Sequence, residues 1–139
     1  MHVLNHPLFL HKLAFLRDER VRSKQFREIV TELSLLLVYF STQNLGLELL
    51  TLASPVDSFV GHALKDRIGL FPILRAGLGM VNAFSDMIPN ARIHHLGLYR
   101  EKSTLAPVEY YNKLPAQCQL DLGIVLDPMV ATAGTRLLI

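Results

Sequence analysis

At 139 residues the chain has the length of one domain with a real core, half of its residues are hydrophobic and only 19% are charged. Its 14 basic and 12 acidic side chains leave a formal charge of +2, and because the two signs are interspersed they exclude the basic stripe of a nucleic-acid-binding surface. A single cysteine, Cys118, excludes an internal disulfide and a cysteine-based metal cluster, and the longest apolar run, Leu35 to Phe40, is far too short to cross a bilayer. The amino terminus lacks the basic-then-apolar pattern of a signal peptide, so a cytoplasmic location is expected. With a mean hydropathy of +0.30, some apolar surface should stay uncovered.

Pro7 stands at a plausible first helical position, and Leu10, Leu13, Ala14 and Leu16 fall roughly on one face, which predicts a short amphipathic helix over residues 7 to 17. Ser23 is a good cap for a longer helix in which Phe26, Ile29, Val30, Leu33, Leu36, Leu37 and Phe40 recur at helical spacing, fading near Asn44-Leu45-Gly46. His6 and His11, five apart, do not share a helical face as a metal pair would, so both are read as structural or solvated. Glu48 to Leu52 could be an edge strand, broken by Ser54-Pro55.

Ile68 to Leu74 reads as a buried strand, and it runs into Arg75-Ala76-Gly77-Leu78-Gly79-Met80, where a cation meets a loop of small residues. Backbone amides and a planar guanidinium could converge there on phosphate oxygens. Arg75 reads equally well as a salt-bridge partner, and the glycines as tight strand-helix packing. A helix from Met80 to Met87 follows, stopped by Pro89. Residues 92 to 99 make a third strand, with Ile93, Leu96 and Leu98 as apolar members and Arg100 at its end. His94 and His95 are adjacent and would point to opposite faces, the mark of satisfied structural histidines rather than joint metal ligands. Residues 101 to 114 read as a hairpin arm, with Pro107 near its turn or on an edge strand and Tyr110-Tyr111 within it.

The last element carries the most chemistry. Ile124, Val125 and Leu126 form an unbroken apolar run, as expected of a parallel strand covered on both faces. Asp127 then stands at its carboxyl edge, where open α/β sheets bind ligands. Beyond it, Ala131 to Thr135 holds no bulky side chain and two hydroxyls, Thr132 and Thr135, which makes a candidate phosphate cradle. The same stretch also reads as a strand, an Asp-Pro turn and a helix start capped by Thr135, with no ligand. Three strand ends at Arg75, Arg100 and Asp127 predict an α/β domain over residues 1–139 with a polar crevice along one sheet edge, suited to a polyanion and to hydroxyls or a metal bridged to them.

Several longer phrases carry a resemblance. They are His6-Pro7-Leu8 with His11-Lys12-Leu13 and Leu16-Arg17, Pro72-Ile73-Leu74-Arg75-Ala76-Gly77-Leu78-Gly79-Met80, Gly97-Leu98-Tyr99-Arg100, Pro107-Val108-Glu109-Tyr110-Tyr111 with Lys113-Leu114-Pro115, and Asp127-Pro128-Met129-Val130-Ala131-Thr132. On these the chain resembles the uracil phosphoribosyltransferase family over essentially its whole length. The resemblance implies a phosphoribosyltransferase-type parallel sheet flanked by helices, with an amino-terminal helical segment and a β-hairpin arm, incomplete at the carboxyl end. It implies transfer of phosphoribosyl from PRPP to uracil, giving UMP and pyrophosphate, with Mg²⁺ helping to bind the diphosphate. Arg75 and Arg100 would contact PRPP at its pyrophosphate end. Asp127 would hold the ribose, and the segment of Pro128, Met129, Val130, Ala131, Thr132, Ala133, Gly134 and Thr135 the 5-phosphate. No residue is implied as a classical general base, and no protein metal ligand. The resemblance also implies a homo-oligomer, and some family members are activated by GTP; the interspersed charge and short apolar runs predict no nucleic-acid or membrane partner.

The chain departs from the family pattern in three places. The family continues past the loop to a segment that reads uracil, whereas Arg136-Leu137-Leu138-Ile139 leaves about one helical turn here. Ala133 stands where the family has glycine, which would cost on the order of 1–2 kcal/mol if that position needs positive φ. Phe40 replaces a glutamate. The alternative expectation is therefore a catalytically inactive relative that acts as a fold fragment or by subunit association.

Overall fold

The structure, a computed structural model, describes residues 2–101, 107–112, 114 and 119–129. It is a mixed α/β fold in which helices pack on a curled sheet. Helix α1 (Pro7–Leu16) starts with proline at its first turn, and the His6 ring nitrogen Nδ1 accepts the Leu8 N–H at 3.2 Å. His6 is thus structural. Of the expected apolar face only Leu16 reaches the core, while Leu10 and Ala14 stay exposed and Lys12 ties the helix to its neighbour through Glu32 at 2.6 Å.

Helix α2 (Ser23–Ser41) corrects the expected cap. Arg22 is the N-cap residue, extended, and Ser23 is already inside the helix with no side-chain capping bond. The buried stripe runs through Ile29, Val30, Leu33, Ser34 and Val38, whereas Phe26, at one end of the expected stripe, is exposed. Ser34 is tolerated there because its hydroxyl donates to the Val30 carbonyl at 2.7 Å.

Strands β1 (Leu47–Ala53) and β2 (Ser58–Leu64) pair antiparallel as a separate two-stranded ribbon. The first was expected in part; the second was hidden by Ser54-Pro55, which is a turn rather than a simple break. The Ser54 N–H donates to the Asp57 carbonyl at 2.9 Å, and the Ser54 hydroxyl accepts the Asp57 N–H at 3.1 Å.

The sheet that matters for function is centred on β3 (Ile68–Leu74), followed by helix α3 (Leu78–Met87). On one side β3 pairs parallel with β7 (Leu122–Leu126), and on the other with β4 (Arg92–Ile93) and β5 (Leu96–Arg100). The expected single strand over 92–99 is therefore split at His94-His95. Pro72 explains the split: His94 N–H donates to the Leu70 carbonyl at 2.8 Å, and the next bond on that side would need an N–H that Pro72 lacks. His94 instead stacks on Phe71 with ring centroids 5.4 Å apart, and its Nε2 is buried without a partner among the described residues, so it is not the satisfied histidine expected. Strand β6 (Pro107–Asn112) returns antiparallel to β5, which makes the expected hairpin and puts Pro107 at the start of an edge strand.

Helices α2 and α3 cover one face of this sheet. Val30, Val38, Met80, Val81, Phe84 and Ile88 meet Ile68, Leu70 and Leu126 in a single cluster, with Leu70 at 0% exposure. The other face is thinner than expected. Val125 is 42% exposed, so β7 is not covered on both faces, because the side chains of 123 and 125 alternate away from the helices. Among the described residues, no helix is long and apolar enough to cross a membrane.

Candidate functional site

Parallel pairing dictates where the strand tips go. Strands β5, β3 and β7 run in one direction side by side, so Arg100, Arg75 and Asp127 all emerge at the same carboxyl edge. The ladder between β3 and β7 closes with Pro72 opposite Leu126. Asp127 therefore stands level with Ile73, two residues short of Arg75. Across β3, Gly97 pairs with Leu74, so Arg100 lies three residues further along. At about 3.3 Å per residue and 4.8 Å per strand, the three backbone positions spread over roughly 13 Å along the strands and 10 Å across them.

Each tip has its own local construction. Arg75 is exposed at the start of a tight turn in which Leu78, Gly79 and Met80 N–H groups donate to the Arg75, Ala76 and Gly77 carbonyls at 3.1–3.2 Å. It makes no ion pair among the described residues, which leaves its guanidinium unclaimed by a structural carboxylate. Asp127 is half-buried, and its Oδ1 accepts the Met129 N–H at 3.1 Å, forming an Asx-type turn that starts the following loop. Pro128 and Met129 are exposed beyond it. Val130, Ala131, Thr132, Ala133, Gly134 and Thr135 lie outside the described residues.

Gly77 shows what the glycines of this turn do. Its backbone is ordinary αR, at φ −60° and ψ −20°, so the position does not need glycine for its torsions. It needs glycine for space: a Cβ would lie 2.6 Å from the Ile73 nitrogen and 2.8 Å from its carbonyl oxygen, and would also run into the Leu126 carbonyl. The reading of these glycines as tight packing holds at Gly77. The periodicity that located β3 and α3 could not reveal this contact, because the partner strand is about fifty residues away in the chain.

A groove of about 580 Å³ adjoins Asp127 on the helical face, floored by Leu37, Phe40, Met80, Phe84 and Leu126 and edged by Gln43 and Asn44. Phe40, the departure noted in the sequence, thus lines a cavity that reaches the candidate site. A second cavity of about 550 Å³ lies at the opposite edge of the sheet beside Lys65, Arg67, Ile88 and Arg92. Arg75 lines neither cavity. Among the described residues, no group of three or more His, Cys, Asp or Glu side chains is placed to hold a metal ion.

Comparisons with known proteins agree with this architecture. Residues 3–138 match the family described as uracil phosphoribosyltransferase. A protein of that name from Roseiflexus castenholzii is 51% identical over 133 residues, covering 96% of this chain and 64% of its own length. Another, from Desulfitobacterium hafniense, is 48% identical over 136 residues, covering 97% of this chain and 65% of its own. A solved structure of an Aquifex aeolicus protein superposes with a TM-score of 0.87 at 33% identity, over 96% of this chain and 64% of that one. The chain thus spans somewhat less than two thirds of the length of these relatives. Parallel strand tips carrying Arg75, Arg100 and Asp127, together with these matches over nearly every residue, make the chain a member of the uracil phosphoribosyltransferase family.

Proposed function

We propose that the chain carries the PRPP-binding part of an enzyme that transfers phosphoribosyl from PRPP to uracil, giving UMP and pyrophosphate. The observation that carries this reading is the convergence of Arg75, Arg100 and Asp127 on one edge of three neighbouring parallel strands. Arg75 and Arg100 bind the pyrophosphate end, Asp127 the ribose hydroxyls, and the segment from Pro128 to Thr135 the 5-phosphate. In the reaction the C1–O bond to pyrophosphate breaks as C1 joins uracil N1, whose proton passes to water or to the departing pyrophosphate. C1 becomes oxocarbenium-like on the way, so positioning and charge stabilisation supply most of the rate, without a classical general base.

Mg²⁺ accompanies PRPP. The donor set suits a cation held mainly by diphosphate oxygens: Asp127 Oδ2 accepts no hydrogen bond among the described residues and offers one hard oxygen. The protein supplies the carboxylate and the guanidinium groups around that charge.

A homo-oligomer belongs to the same proposal, and the β1–β2 ribbon supports it. Leu47, Leu49, Leu50, Phe59, Val60 and Leu64 are all exposed there, and among the described residues no other element packs extensively on the ribbon. A lone two-stranded ribbon is marginal in water, and Leu47, Leu49, Val60 and Leu64, which share one of its faces, offer a second copy an apolar surface to cover. A cytoplasmic location completes the reading.

Titration of PRPP with Mg²⁺ into the protein tests it. The expected outcome is saturable, Mg²⁺-dependent binding that weakens at least about 10-fold in Arg75→Ala, since a charge-assisted contact to phosphate is lost. Undiminished binding in that variant would remove Arg75 from the site.

A further inference from the structure

We propose that Gly77 is a positioning residue for this site, fixing the gap between Arg75 and Asp127 by letting the β3–α3 turn seat directly on the last carbonyl of β7. The proposal rests on the reading of that edge as a PRPP site. Gly77 is buried, and its N–H donates to the Ile73 carbonyl at 2.8 Å. The three atoms nearest an added Cβ are all backbone: the Ile73 nitrogen at 2.6 Å, the Ile73 oxygen at 2.8 Å and the Leu126 oxygen. Those atoms belong to two hydrogen-bonded strands and cannot rotate aside as a side chain would. Gly77 differs in this from the other described glycines, whose nearest neighbours are all side-chain atoms.

Leu126 is the residue before Asp127, and Gly77 is two residues after Arg75. A methyl group at position 77 must therefore lift the Arg75 turn away from the Asp127 tip, by on the order of 1 Å, a displacement that can cost about 100-fold where two groups must engage one substrate. PRPP feels that change because it spans both tips. Pyrophosphate alone needs only the arginine side, and ribose 5-phosphate alone only the Asp127 side, so each can follow its own half of the site.

The test is calorimetric titration of the 139-residue chain, with Mg²⁺, against PRPP, pyrophosphate and ribose 5-phosphate, for the wild type, Gly77→Ala and Gly46→Ala. Gly77→Ala is expected to weaken PRPP at least about 10-fold while moving each half-ligand by less than about 3-fold. Gly46→Ala, whose Cβ would meet nothing closer than Asp66 Oδ2 at 3.5 Å, is expected to move none of the three. Equal weakening of all three ligands by Gly77→Ala, the signature of a general structural defect, overturns the proposal, as does unchanged PRPP affinity. If Gly77→Ala does not fold, Ala76→Gly decides: this exposed substitution loosens the same turn and is expected to weaken PRPP about 3-fold with both half-ligands unchanged. Unchanged PRPP affinity in Ala76→Gly would then overturn it. Failure of the wild type to bind any of the three is a different result, and it overturns the PRPP reading itself.

Discussion

Arg67 and Asp121 clasp the starts of β3 and β7 through a two-pronged ion pair, Nε to Oδ2 at 2.9 Å and Nη2 to Oδ1 at 3.0 Å. The Arg67 N–H also donates to Asp121 Oδ2 at 2.9 Å, and the Asp121 N–H to the Arg67 carbonyl at 2.9 Å. The clasp pins the register of the two strands at the end opposite the candidate site. Six residues further along each strand, Ile73 and Asp127 are level. A one-residue slip would turn every β7 side chain, Asp127 included, to the other face.

This clasp should leave a signature in acid. The Arg67 guanidinium, donating to the carboxylate, holds the Asp121 pKa down from 3.8 to about 2. A carboxyl lowered in the folded state adds stability above its unfolded pKa and loses it as pH falls towards the folded one. Asp121→Asn should therefore lower the melting temperature at pH 7, by a small amount because both side chains are exposed. The difference from wild type should shrink below about pH 4 and vanish near pH 2; thermal melts across that range check it.

Leu70 sits at 0% exposure between the two helices and the sheet. Leu70→Ala should cost about 2–5 kcal/mol, the range for a buried leucine whose cavity only partly collapses. Val125→Ala, on the more exposed face of the same sheet, should cost well under that. Urea unfolding midpoints of the two variants make the comparison.

Charge on the ribbon should oppose self-association. Leu49 is 72% exposed and Val60 is 62% exposed, so a lysine at either position disturbs no internal contact of consequence. Sedimentation velocity should show the wild type sedimenting above monomer mass and Leu49→Lys or Val60→Lys shifted towards monomer, because a buried ammonium at a pairing surface lacks a partner.

Asp127→Asn separates charge from shape. The amide oxygen can still accept the Met129 N–H, so the turn is kept and the melting temperature should barely move. PRPP affinity in Mg²⁺ should fall about 10-fold, the loss expected when one hydrogen bond to a charged group becomes neutral. Calorimetry beside a thermal melt reads both.

Local patterning was enough to locate most of the elements. The bounds of β3 were readable because an apolar run between a charged start and a small-residue loop has few other uses, and α2 was readable because apolar spacing repeats over five turns. The ribbon's second strand was not legible, since Pro55 in a turn and Pro55 as a breaker look alike in a linear chain. The split at His94 depended on which side of β3 the missing N–H of Pro72 faces. Ser23 lost its capping role by one residue, an offset that spacing alone does not resolve.

The amino-acid order alone supplied the parts: three helices, two strands ending in arginine, another ending in aspartate, and phrases specific enough to name a family. Adjacency was settled in three dimensions. That Asp127 lies beside β3, that Gly77 rests on Leu126, and that Val125 faces outward all follow from pairing between segments about fifty residues apart. Periodicity is written into each segment by its own side chains, whereas the choice of neighbour is made by burial and hydrogen bonding between segments, which no single segment contains.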